Sequence, residues 1–206
     1  CQWLTSCYRR HGQHLELTVI PVLLGLVISS VLSAVALRFR WTFAPITTLA
    51  GFLYTIPSLA LFGVLVTYNS NWTAAVIALT SYTLLIMIRN IVAGIDGVPQ
   101  AARDAADGLG MTRRQRFVRV ELPLAFPVIV TGVRVATVTT VGLVGISVVI
   151  QLGGLASLIF AGYRRQFTTP IVVGSALSIL LAVLLDLGLR GVERLATPWA
   201  RRAGLR

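Results

Sequence analysis

The chain has 206 residues, of which 56% are hydrophobic and only 12% charged. That is too apolar for a single water-soluble core, and it predicts an all-α polytopic membrane protein. The formal net charge is +11 with every basic residue an arginine, but the arginines flank apolar runs, which suits orientation in a membrane and excludes a nucleic-acid groove.

The first residues carry Cys1, Cys7, His11 and His14. C-x5-C is not a zinc spacing and two thiols build no disulfide framework, so no metal site is expected. The segment reads as an amphipathic lead-in to the first span, and no cleavable signal is expected. Five apolar stretches then follow, near 15–37, 45–67, 73–93, 125–150 and 168–190. Each is long enough, or nearly so, to cross about 30 Å of hydrocarbon at about 1.5 Å per residue.

The first span carries Gly25, Ser29 and Ser33 at i, i+4 spacing, and the fifth carries Gly174, Ser178 and Ala182. Small residues let helices approach closely in lipid; packing within this chain and a seam to a second chain both use such stripes. The second span contains Tyr54-Thr55-Ile56-Pro57-Ser58. Pro57 removes one helical hydrogen bond and frees the Leu53 carbonyl, and Thr55 or Ser58 is placed to satisfy the freed group. Broken helices in transporters line cavities, so Tyr54, Thr55, Pro57 and Ser58 are pathway or gate candidates, with a structural kink as the alternative. Tyr54, Tyr68, Trp72 and Tyr82 are aromatic faces for a quaternary ammonium ion, although interfacial anchoring also explains Tyr68 and Trp72.

The long link, residues 94–123, is the most informative segment. Pro99 is placed to open a helix. Gln100 to Asp107 carries Ala101, Ala102, Ala105 and Ala106, strong helix formers with little bulk, edged by Arg103, Asp104 and Asp107. Gly108 and Gly110 supply a stop and a turn. A second helical stretch begins at Met111–Arg114, and Pro123 and Pro127 mark entry to the fourth span. A further link, 151–167, holds Gly153, Gly154, Gly162, Arg164 and Arg165. Neither link holds a soluble domain, so residues 1–206 read as one transmembrane domain.

Placing the 94–123 link in the cytoplasm puts Arg38, Arg40, Arg89, Arg103, Arg113, Arg114, Arg116, Arg119, Arg190, Arg194, Arg201, Arg202 and Arg206 inside. Only Arg9, Arg10, Arg164 and Arg165 then lie outside, which predicts an external N-terminus and a cytoplasmic C-terminus. Arg134 and Asp186 are the ionisable residues deepest in apolar sequence. They read either as a pair near the inner gate or as side chains snorkelling to the interface.

The link has a fixed pattern: Asp104-Ala105-Ala106, three residues, Gly110, nine residues, then Val120-x-Leu122-Pro123. It resembles the coupling loop of ATP-binding-cassette (ABC) importer permeases, with Asp104 standing where that family commonly has Glu. The resemblance runs from about His14 to Glu193. Thr55-Ile56-Pro57-Ser58-Leu59-Ala60-Leu61, Ile88-Arg89-Asn90, Val120-Glu121-Leu122-Pro123-Leu124, Gly132-Val133-Arg134, Gly153-Gly154-Leu155 and Asp186 look like segments of permeases for glycine betaine, carnitine, choline and related osmoprotectants, with Tyr54 where many relatives have Gln.

The resemblance implies a type I ABC importer permease fold. It implies that Arg103, Asp104, Ala105, Ala106, Asp107 and Gly110 couple to a separate ATPase subunit. That subunit would bind the ATP and magnesium, leaving no cofactor in this chain. A second permease subunit, identical or related, an extracytoplasmic substrate-binding protein and membrane lipid are the other implied partners, in a bacterial cell membrane. The alternative is an ion-gradient-driven transporter or channel for small amines, which predicts an internal repeat and more intramembrane acids than Asp186. No Gly-rich phosphate cradle, metal cluster or catalytic pair is visible, so no enzyme activity is expected.

Overall fold

Within hydrocarbon every backbone N–H and C=O must be satisfied internally, which restricts an apolar chain to helices or closed barrels. In the computed structural model this chain uses helices; the structure describes residues 2–197, with side chains described from Arg10 onward. Cys1, Arg201, Arg202 and Arg206 lie outside the described residues, as do the side chains of Cys7 and Arg9. In chain order the helices are α1 (Gln2–Arg38), α2 (Phe43–Thr55), α3 (Ser58–Tyr68), α4 (Asn71–Asp96), α5 (Gln100–Gly108), α6 (Arg113–Arg116), α7 (Leu122–Val144), α8 (Ala156–Arg164) and α9 (Thr168–Ala196). Short 3-10 turns cover Arg40–Thr42 and Gly145–Ile150, and a wide π turn, Phe117–Glu121, joins α6 to α7.

Among the described residues four helices are long and apolar enough to cross a membrane, or five if α2 and α3 count as one broken span. That pair is where the structure departs most from an uninterrupted helix over 45–67: α2 and α3 meet at 92°. The cause is local. Ile56 and Pro57 are both extended, with ψ of 127° and 125°. A residue before proline is driven out of the helical region, and proline cannot donate to the turn behind it.

α4 is the central post. It packs against α1, α2, α3 and α7, and three apolar layers stack along it. Nearest Asn71, Ala75 and Leu79 meet Leu17, Phe62, Val144 and Ile150. In the middle, Met87 and Ile91 meet Val22 and Ala136. At the far end, Ile95, with Val98 just beyond the helix, meets Ala125. Close approach rather than water exclusion holds such helices together in lipid. A Cβ on Gly25 would fall 1.9 Å from Thr83 Oγ1, and one on Gly132 would fall 2.4 Å from Asn90 Cβ. Ser29 and Ser33 are buried, and Gly174 faces Leu158 and Ile159 of α8. Both small-residue stripes therefore include positions packed within this chain.

The 151–167 link contains α8, a helix the sequence does not announce. At nine residues it is too short to be a span, and it packs on α9 through Gly162, where a Cβ would lie 2.7 Å from Ile171 Cγ1. The turn before α8 is latched to α1. His14 Nδ1 accepts the Leu155 N–H at 3.3 Å, and Gln13 Oε1 accepts the Gly154 N–H at 3.2 Å. With Nδ1 accepting, Nε2 carries the proton and donates to the Val141 carbonyl at 3.2 Å. His14 is thus a buried structural tie, and no group of three or more His, Cys, Asp or Glu able to hold a metal occurs among the described residues.

Candidate functional site

α5 lies between the ends of α4 and α7. Pro99 immediately precedes it with φ −56° and ψ 134°, one residue earlier than a first-turn position, and its carbonyl accepts the Ala102 N–H at 3.0 Å. At the other end the Gly110 N–H bonds to the Asp107 carbonyl at 2.9 Å and the Met111 N–H to the Ala106 carbonyl at 3.2 Å. With Gly110 at φ +70°, this is a Schellman cap, which needs a left-handed residue at that position.

The helix has two faces. Ala106 is 2% exposed and points into the protein. Ala101, Asp104, Ala105 and Gly108 form an exposed stripe at i, i+3, i+4, i+7 spacing, and Leu109 beside them is 77% exposed. Coupling positions predicted as a set are therefore divided: Asp104 and Ala105 face out, Ala106 faces in.

The inner side is held by charge. Arg103 donates through Nη2 to the Ile95 carbonyl at 2.7 Å, at the end of α4, and its Nε lies 3.8 Å from Glu121 Oε1. Arg116 donates through Nε to the same Glu121 oxygen at 2.9 Å and through Nη1 to both oxygens of Asp107. Glu121 is 8% exposed. One buried carboxylate thus sits between two guanidiniums, and one of those reaches back to the C-terminal turn of α5. Outside this cluster, Arg40 grips Asp96 bidentately, fastening the α1–α2 connection to the end of α4. Asp104 differs from the other acids of the link: among the described residues its side chain bonds to Gln100, at 2.8 Å, and forms no ion pair.

In the sequence Glu121 stands within the Val120–Leu124 segment of the resemblance with no role of its own, and Arg116 counts only as a topology charge. The signal for both was an acid set between Val120 and Leu122 five residues after an arginine. Thr112 opens α6 with a reciprocal capping box to Gln115, and Pro123 lies in the first turn of α7. Pro123 cannot donate to the Arg119 carbonyl and its ring crowds it. The chain widens there, the Leu122 N–H reaching the Phe117 carbonyl, so helix runs on from α6 into α7. Val120 is half-buried and Leu122 exposed.

At the α2–α3 break, Thr55 Oγ1 donates to the Phe52 carbonyl at 2.8 Å. Ser58, expected as a donor to the freed groups, instead begins α3. Tyr82 of α4, a candidate cation face in the sequence, donates its hydroxyl to the Ile56 carbonyl at 2.7 Å. Its ring meets Tyr54 edge-on at 6.0 Å. Tyr82 is 4% exposed, whereas Tyr54, Tyr68 and Trp72 are open. Pro57 and Thr55 are exposed, Ser58 half-buried.

Arg134 and Asp186 meet across α7 and α9: Nε donates to Oδ1 at 2.7 Å and Nη2 to Oδ2 at 3.2 Å. Glu193 lies 3.5 Å from Arg134 Nη1, and Arg190 Nε lies 2.9 Å from Asp186 Oδ2. Two arginines face two acids, so the cluster is neutral as a whole, which lowers the cost of burying it. Glu193 carries no role in the sequence reading, and Arg190 only that of a topology charge.

The chain is matched by known proteins in both sequence and overall fold. The chain is 36% identical to the osmoprotectant import permease protein OsmW of Salmonella typhimurium, over 90% of this chain and 89% of that protein. It is 32% identical to the choline transport system permease protein OpuBB of Bacillus subtilis (90% and 86%), and 30% identical to the glycine betaine/carnitine/choline transport system permease protein OpuCB of the same organism (91% and 87%). In fold it is similar to a chain of the inward-facing MetNI methionine ABC transporter, with a TM-score of 0.81 at 18% identity over 95% of this chain and 98% of that one. An amino acid ABC transporter solved with histidines gives 0.79 at 18% identity, over 94% and 95%. The fold is that of a type I ABC importer permease, a transport subunit whose family leaves ATP hydrolysis to a separate subunit. Residues 22–197 match the binding-protein-dependent transport system inner membrane component, and the chain belongs to that family.

Proposed function

We propose that this chain is a single permease domain of an importer for osmoprotectants such as glycine betaine, carnitine, choline or proline betaine, and that α5 is the helix through which its ATPase subunit drives it. The observation that carries this reading is the build of α5. Its outer stripe is small and open, its one acid without an ion pair among the described residues points outward, and its inner side is fixed by Arg103, Arg116 and Glu121. A surface left bare while its back is fastened suits docking rather than solvation. The substrate class is supported by what the relatives are named for.

In this reading the 94–123 link and the C-terminus face the cytoplasm, the N-terminus is external, and a second permease subunit, identical or related, completes the pathway. An extracytoplasmic binding protein delivers substrate. Tyr54, Thr55, Pro57 and Ser58 line or gate the passage at the α2–α3 break, and Arg134 with Asp186 steadies its inner end.

Two experiments test this. Purification of the chain from its membrane in mild detergent is expected to recover an ABC ATPase in stoichiometric amount, and proteoliposomes containing that complex and its binding protein are expected to take up labelled glycine betaine, carnitine or choline only with ATP. Uptake by the chain alone along an ion gradient would replace this account with a gradient-driven one. Pro57→Ala is expected to impair uptake without abolishing assembly; unchanged uptake would remove the gating role.

A further inference from the structure

A helix lying on a membrane face can move two spans together only if it is joined rigidly to both. The covalent joints of α5 are short turns, each hydrogen-bonded to the helix before it. Gly97-Val98-Pro99 leads in, and the left-handed Gly110 leads out. Those turns set the path of the chain but do not tie α5 to α7; the ties across are made by side chains, and they converge on one atom, Glu121 Oε1. Arg116 bonds to it at 2.9 Å and also holds Asp107 of α5. Arg103 of α5 lies 3.8 Å from it and holds the α4 carbonyl of Ile95. Glu121 itself is the residue from which α7 begins.

We infer that Glu121 is a positioning residue for transport: it fixes the angle of α5 to α4 and α7, so that displacement of α5 reaches both spans. Without its charge, Arg103 and Arg116 face each other across the site with Asp107 as the remaining acid of the cluster. α5 is then free to rock about Gly97–Pro99 and Gly110 while still presenting the same outer stripe. The inference rests on the reading that α5 is the site of ATPase docking.

The test uses Glu121→Gln, which keeps size and shape, and Glu121→Asp, which keeps the charge. In proteoliposomes holding the full transporter, Glu121→Gln is expected to retain ATP hydrolysis while uptake per ATP falls roughly tenfold, the size of a typical coupling free energy; Glu121→Asp should recover part of it. A second readout needs no ATPase. With Cys1 and Cys7 replaced by serine, spin labels at Ala105→Cys and Val135→Cys on the isolated permease report the α5–α7 distance. Glu121→Gln should broaden that distribution.

An unchanged distribution, or hydrolysis and uptake falling in parallel, would overturn the inference. If no ATPase associates even with the unaltered chain, the docking reading fails, and the distance measurement still decides whether Glu121 holds α5.

Discussion

Gly110 offers a sharp test of why the coupling pattern contains a glycine. Bulk is the intuitive answer, because a partner must approach closely. Within this chain, however, a Cβ at Gly110 would meet nothing within 4 Å, while φ is +70°. The obstacle is therefore the backbone. An L-residue in the left-handed region costs roughly 1–2 kcal/mol, less for asparagine and more for a β-branched side chain. That cost is paid by opening the cap, which loses the Met111 to Ala106 and Gly110 to Asp107 bonds and frays the last turn beneath Asp104 and Ala105. About 1.4 kcal/mol is tenfold in affinity, so Gly110→Ala should weaken docking of the cognate ATPase roughly tenfold. Gly110→Asn should weaken it less and Gly110→Val more. The assay is titration of the ATPase against permease in lipid nanodiscs. An order that follows side-chain volume, with alanine tolerated better than asparagine, would refute the backbone argument and restore the steric one.

Tyr82→Phe leaves the part-buried Ile56 carbonyl without its side-chain donor; losing such a bond costs about 0.5–1.5 kcal/mol, so the purified permease should melt measurably earlier, and an unchanged Tm would show that the hydroxyl does not hold the break. Gly132→Ala drives a methyl group into Asn90 and should cost about 1–3 kcal/mol as overpacking; because Asn90→Gly alone costs about 1 kcal/mol within α4, the test is the cycle: the double variant should be more stable in thermal unfolding than the two single losses added together, and simple additivity would place the strain elsewhere. Arg134→Gln and Asp186→Asn should each lower uptake, but the double variant should lose less than the two losses combined, since each single change leaves an uncompensated charge; simple additivity would mean the two act separately.

Much of this architecture is legible in the sequence because its causes are local. Apolar runs longer than about 20 residues declare spans, Pro57 ends a helix through its own ring, and Gly110 closes α5 through its own φ. The 92° between α2 and α3 is not legible, because proline says that a helix stops and packing decides where the next one points. α8 is hidden because a nine-residue helix lying on α9 has neither the length of a span nor the polarity of a loop. The His14 latch joins residues 141 positions apart, and no spacing rule reaches so far. The Asp107–Arg116–Glu121–Arg103 cluster escaped for a related reason. Arginines explained by orientation looked fully accounted for, yet Arg40, Arg103 and Arg116 each also hold an acid. In a chain with seven acids, asking which arginine each acid meets is the question that recovers the cluster.

The central claim is that the outer stripe of α5 touches an ATPase. The most direct test places a photo-crosslinking residue at Asp104 or Ala105 in turn, with Ala106 as the inward control, and illuminates the native membrane. The account predicts adducts from Asp104 and Ala105 to an ATP-binding-cassette subunit, and none to it from the buried Ala106. Equal labelling from all three positions, or no ATPase adduct while the chain still transports, would contradict it.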